Sequence, residues 1–283
     1  MAIERTHTYH AEADVLSVKL ERPLQAEVRP QAYVKLPDHG GYFSERAENF
    51  RLESVISFRS AYTQVAGNRS EKQGHGWVTL ATAVVEGLNV LDVVTADRVV
   101  AQFSTEHPLV GYVPRVTFLG TRFEGLKIGG VDVRPKIDLD FCAPTKGDQL
   151  YLEDAAFRGK VEEQNKKMAS APEALRRKEG GTMPDPAELR KEWNAYIDPD
   201  PKKRGPRPKA AVDCSIVTSL GETEPWKSAG NAIEVPEFGR VFFGELRVEC
   251  DSFEFAMIRL DMGCVAGGKG KVTTYAVNGG TRP

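Results

Sequence analysis

Apolar and polar residues alternate with a period of two over much of the first 145 positions. Ala13 to Leu20 alternates around Leu16, and Gln31 to Leu36 does so less regularly. Phe50 to Val65 carries Leu52, Val55, Ile56, Phe58, Tyr62 and Val65 with Arg, Ser and Thr between them. The strongest segment is Trp77 to Gly87, with Thr on one side of the alternation and Val, Leu or Ala on the other. Period two is the signature of a pleated strand with one buried face. Gly87-Leu88-Asn89 predicts a break, after which Val90 to Phe103 resumes in β-branched residues. Val116 to Phe123 and Lys127 to Phe141 follow, divided by Glu124-Gly125 and Gly129-Gly130 turns. Closely spaced strands with glycine turns, and no helical pattern between them, predict an antiparallel sandwich or barrel.

The pattern changes near Pro144. Between positions 146 and 209, 27 of 64 residues are charged, 15 basic and 12 acidic. Leu152 to Lys178 reads as a helix with a thin apolar stripe, interrupted at Pro172. A second helix is better signalled: Asp185 is its cap, Pro186 its first residue, and Glu188 lies three positions after the cap. Leu189, Trp193 and Tyr196 share one face of that helix, and Asp198-Pro199-Asp200-Pro201 ends it. Strand patterns return over Ala211–Leu220, Val241–Cys250, Phe253–Leu260 and Lys271–Val277. The reading is mainly β: an antiparallel, jelly-roll-like β-sandwich with a charged α-helical insertion. Residues 1–145 supply its first part, 146–210 the insertion and linker, and 211–283 the strands that complete it. A second small β domain is the alternative for the last segment.

Composition narrows the function. The 283 residues carry 38 Lys and Arg against 40 Asp and Glu, a net charge of −2. That balance argues against a global electrostatic grip on nucleic acid or anionic lipid. No stretch approaches the ~18 consecutive apolar residues of a membrane-spanning helix. Met1 to His7 has no apolar leader, so the expected location is cytoplasmic. Cys142, Cys214, Cys250 and Cys264 are scattered in apolar segments, which predicts reduced, buried thiols. A Cys250–Cys264 bridge closing a hairpin is the alternative. No cofactor is implied.

Candidate chemistry is sparse. His7 and His10 read as part of an extended, solvated arm, His39 as a turn residue, and His107 as a strand end before Pro108. His75, between Gly74 and Gly76, is the one weak catalytic candidate, because flanking glycines permit close backbone approach at a ligand site or a tight turn. No nucleophile motif accompanies it. Asp138 and Asp140 lie two apart on an expected strand, hence on one face, and are weak candidates for a metal site. Gly263 to Lys271 resembles a phosphate loop in composition, but it leads into a strand instead of a helix and reads as a hairpin loop. Lys202 to Lys209 is a basic block whose prolines and glycine suggest a solvated linker, without aromatic residues for stacking nucleic acid.

Two segments resemble known sequences. Gly87-Leu88-Asn89-Val90-Leu91-Asp92-Val93-Val94-Thr95-Ala96-Asp97-Arg98-Val99 resembles a stretch of bacterial choice-of-anchor β proteins. Phe238 to Leu246 and Met257 to Cys264 are similar to uncharacterised bacterial proteins of like length. The resemblance implies a bacterial β-sandwich and supplies no catalytic residues. The leading expectation is a non-enzymatic β-sandwich that binds or assembles with protein, with Leu189, Trp193 and Tyr196 either docked on the sandwich or displayed to a partner. The alternatives are a hydrolase or metal-dependent enzyme around His75, and a regulated protein whose charged insertion is cleaved or displaced.

Overall fold

The computed structural model describes residues 6–22, 25–175, 183–263, 267–277 and 280–282. Its long strands, numbered in chain order, are β1 (Ala11–Arg22), β2 (Ala26–Gln31), β3 (Gly41–Leu52), β4 (Ile56–Arg69), β5 (Trp77–Val90), β6 (Val94–His107), β7 (Ala211–Ser215), β8 (Ala232–Val235), β9 (Gly239–Glu249), β10 (Phe253–Met262) and β11 (Gly267–Val277). Two helices, α1 (Ala155–Ala169) and α2 (Pro186–Tyr196), lie between β6 and β7. Consecutive hairpins place β3, β4, β5 and β6 side by side in an eight-stranded sheet, extended beyond β6 by short strands from 115–132. The nine-stranded second sheet runs β8-β9-β10-β11-β1-β2, with β7 beside β9. Among the described residues the strand pairings are antiparallel, and the first long strand closes the sheet against the last. The result is the antiparallel sandwich that the alternation predicts.

One core fills the space between the sheets. β1 packs on β4 and β5, β11 on β5 and β6, and β10 on β6. Aromatic rings bridge the layers, Phe103 to Phe253 at 5.7 Å and Phe118 to Phe255 at 5.4 Å between centroids.

The eight-stranded sheet contains a coordinated slip in its alternation. In β5 the residues that join the central apolar core are Ala81, Ala83 and Val85, then Leu88 and Val90; in β6 they are Val94 and Ala96, then Val99, Ala101 and Phe103. β4 shifts likewise, from Ile56 and Phe58 to Ala61, Thr63 and Val65. The shifts align in register, since Ser60 opposes Glu86 and Glu86 opposes Arg98. A slip in one strand alone would turn its apolar set outward; repeated in three neighbours, it keeps every set in the core. Gly87 adopts φ +64° at this row, and a Cβ there would lie 3.1 Å from Cβ of Arg59. Gly87-Leu88-Asn89 therefore bends β5 without ending it, correcting the expected break.

Other boundaries also differ from expectation. β3 carries no period-two pattern because most of it is exposed on both faces. The expected strands at 116–123 and 127–141 reduce to two- and three-residue pieces separated by turns. The glycine-rich loop is shorter than its composition implied, because Gly267 to Gly270 already belong to β11.

The insertion is packed against the sandwich. Asp154 accepts from the Phe157 N–H and caps α1, which ends at Ala169, well short of the expected Lys178. Phe157, Val161 and Met168 are its buried face. The Gln164 side chain accepts from Ser215 N–H and donates to its carbonyl, serving the edge of β7. Asp185 caps α2 by accepting from Ala187 and Glu188 N–H. Leu189 and Trp193 are 2% exposed, and Tyr196 is half-buried. Of the two alternatives for this face, docking holds for Leu189 and Trp193, which are covered by the core and so are not partner-binding residues. The basic block Lys202 to Lys209 is exposed at its lysines but tied to the sandwich at Arg207. Arg207 donates to Asp251 at 2.6 and 2.8 Å and to Ser252 at 2.7 Å, and pairs with Glu249 at 2.9 Å. Truncating Trp193 to alanine should lower unfolding stability by about 3–5 kcal/mol, measured by chemical denaturation, because a buried aromatic leaves an unfilled cavity.

Candidate functional site

At one end of the sandwich, strand pairing sets Trp77 opposite His107. His7, on the short Thr6–Thr8 strand, stacks on Trp77 at 5.2 Å between ring centroids and lies 4.7 Å from His107. Burial lowers the pKa of His7 to about 4, so it is neutral at physiological pH. The expected solvated arm is thus a packed aromatic cluster in which His107 is 1% exposed. Sequence reasoning missed it because Trp77 and His107 meet only through the β5–β6 register.

His75 lies on the loop before β5, outside this cluster. Its Nδ1 is 2.7 Å from Oε1 of Glu106. Gly76 is required structurally, since a Cβ there would meet the His107 carbonyl oxygen at 2.0 Å. A carboxylate at Nδ1 orients an imidazole so that Nε2 can serve as a base. Among the described residues Glu106 is the one side chain that bonds to this imidazole.

The remaining candidates are structural groups. Asp138 and Asp140 sit in a turn beyond a two-residue strand, not along a strand face. Asp138 accepts from Asp140 N–H and pairs with Lys160 at 3.0 Å, so its charge is already neutralised. Among the described residues there is no cluster of three His, Cys, Asp or Glu placed to hold a metal ion. Cys142, Cys214 and Cys250 are buried, and the Cys214 thiol donates to the Leu246 carbonyl at 3.3 Å. Burial pushes the Cys250 thiol up to about 12 and raises Cys142 well above its ordinary value, which suppresses the thiolate. Cys264, and with it the alternative bridge to Cys250, lies outside the described residues.

Two surfaces that the sequence did not mark stand out. The first is a cleft of about 470 Å³ on the outer face of the nine-stranded sheet. In its centre the Arg259 guanidinium lies over the Phe242 ring at 3.8 Å. Glu245 holds Arg259 from one side at 2.5 Å, and Asp261 from the other at 2.8 Å. Arg240 shares Asp261 at 3.0 Å. Thr274 is at the cleft margin and opposes Asp14 in register. Burial raises Asp14 to about 7 against the opposing pull of Lys271. No pair of these residues is adjacent in sequence, so only the strand register could reveal the group.

The second surface is β3, the terminal strand of the eight-stranded sheet, 12 residues long. Tyr42 is 62% exposed, Phe43 40%, and Tyr62 on the neighbouring strand 38%. Arg46 and Glu48 pair along its outer face at 2.8 Å.

These features define an antiparallel β-sandwich with a docked helical insertion, carrying a charged cleft on one sheet and a long exposed edge on the other. The chain belongs to a domain family of unknown function, DUF8256, whose model matches residues 7–249. No curated protein and no solved structure matches the chain. Among the described residues no helix is long and apolar enough to cross a membrane.

Asp14 has a definite pH signature. Its folded pKa lies above the unfolded value of 3.8, so its contribution to stability is complete below pH 3.8 and is lost as pH rises through about 7. Asp14→Asn should therefore be more stable than the wild type at pH 8, by up to about 4 kcal/mol. The advantage should vanish towards pH 4. Denaturation midpoints of both proteins across that range check it.

Proposed function

We propose that the protein is a non-enzymatic β-sandwich whose role is assembly, and that β3 joins the same strand of a second copy edge to edge. The observation that carries this reading is the order of charges along β3. Two copies of one strand pairing about a two-fold axis perpendicular to the sheet are antiparallel, with the axis residue opposite itself. Centring on Glu45, Arg46 or Glu48 sets like charges together at the axis, which is unfavourable. Centring on Ala47 sets Arg46 of each copy opposite Glu48 of the other and Glu45 opposite Asn49. That register also engages most of the strand.

Backbone pairing supplies the affinity of such a joint, and the side chains select its register. The exposed Tyr42 and Phe43 then lie near the joint, where aromatic area gains most from burial. Glu45 is on the core-side face of β3 and disfavours indiscriminate edge pairing, the usual protection of a long edge strand.

Light scattering on the purified chain should show a concentration-dependent dimer. Arg46→Glu should weaken it about ten- to a hundredfold, and Arg46→Glu with Glu48→Arg should restore it. A monomer at all concentrations, or a dimer indifferent to the single reversal, would overturn the reading. The His75–Glu106 pair favours a second reading, a carboxylate-oriented imidazole base in a hydrolase. That reading requires a hydrolytic activity of the wild type that His75→Ala abolishes.

A further inference from the structure

The lysine-glycine segment that resembles a phosphate loop in composition has a different use in the fold. Gly268 and Gly270 are buried in β11, where a Cβ on Gly268 would meet the Lys19 carbonyl oxygen at 2.5 Å. The alternate residues, Lys269 and Lys271, are exposed on the outer face and line the cleft over the nine-stranded sheet. Register then brings like charges together. Lys271 is directly opposite Arg259 on β10, and Lys269 is directly opposite Lys19 on β1. Like charges directly opposite in a sheet oppose its pairing, and here two such pairs lie side by side.

Two of the cleft's carboxylates are committed to its arginines. Glu245 and Asp261 hold the guanidinium of Arg259, and Asp261 also holds Arg240. Asp261 opposes Lys269 in register and Glu27 opposes Lys19, but neither lysine forms an ion pair within 4.0 Å among the described residues. Along the cleft five cations, Arg240, Arg247, Arg259, Lys269 and Lys271, face four carboxylates, Asp213, Glu245, Glu254 and Asp261, and Lys19 beside them is matched by Glu27, leaving one positive charge in excess. Asp14, held near neutrality by burial, cancels only part of that excess at pH 7. Arg259 is fixed over Phe242 before any ligand arrives, which lowers the ordering cost of binding.

We propose that Lys269, Lys271 and Lys19, backed by Arg259, form a binding site for a small dianionic oxyanion ligand, a phosphate monoester or a dicarboxylate. The ligand relieves the repulsion between opposed cations and is held by charge-assisted hydrogen bonds from the lysine ammonium groups. The site is independent of the β3 edge, which lies on the other sheet.

Thermal unfolding at pH 7 with inorganic phosphate or succinate, compared with sodium chloride at equal ionic strength, tests the proposal. The wild-type midpoint should rise and saturate with at least one of the two anions, and the stronger one identifies the headgroup class. Lys269→Gln with Lys271→Gln should reduce the apparent affinity at least about tenfold. Without added anion at pH 5, where Asp14 is protonated, this variant should melt no lower than the wild type, because it has lost the like-charge pairs. Should the double variant fold poorly, Lys19→Gln, followed by titration calorimetry, serves the same purpose. A wild-type midpoint that follows ionic strength alone, or an anion response unchanged by these substitutions, would overturn the proposal.

Discussion

Strand β1 finds its partner, β11, almost a whole chain length away, and the sandwich depends on that pairing. Ala11 to Arg22 runs antiparallel to Gly267–Val277 along most of its length. It joins the β8–β11 strands to β2, making one broad sheet from the two ends of the chain. The approach is close enough that side chains on Gly268 and Gly270 would press on β1. These glycines therefore answer a tertiary demand, although their composition is that of a loop. A contact this distant in sequence closes a very large loop, which favours late formation in folding, after the local hairpins of β3 to β6.

The aligned slip through β4, β5 and β6 is the second device on which the core depends. It changes which parity of each strand faces inward, so that Ile56, Phe58, Leu88 and Val90 share one core with Ala61, Val65, Ala83 and Val85. On the outer face the same row gathers Ser60, Glu86 and Arg98, with Ser60 donating to Glu86 at 2.9 Å. A polar ladder thus marks the place where the apolar alternation shifts phase.

The insertion and the charged cleft are coupled through Phe242. One side of its environment is a small apolar cluster formed with Met168, Ala171, Leu175 and Ala232. The other is the guanidinium of Arg259, stacked on the ring. The insertion therefore helps position the residue on which the cleft's central cation rests. This link explains why a segment so rich in charge is anchored instead of extended: its few apolar residues are spent at the sandwich surface, and its polar groups close the edge of β7 through Gln164.

Local pattern determined the β class, the antiparallel sandwich, the capped helix beginning at Pro186 and the burial of the described cysteines, because each follows from alternation, capping or side-chain polarity within a few residues. It did not reveal β3, whose exposed faces carry no alternation. It also left Trp193 either docked or displayed to a partner, since a helix face shows that an aromatic must be covered without showing by what. The candidate surfaces were the least legible. Asp138 and Asp140 share a face only if the strand continues, and it ends before them. His7 and Trp77, Arg259 and Phe242, and Lys19 and Lys269 are joined by register and packing between segments far apart in the chain. Sequence specified which residues prefer water, core or turn; only the tertiary structure decided which charges stand opposite one another, because cross-strand register is set by the whole sheet at once.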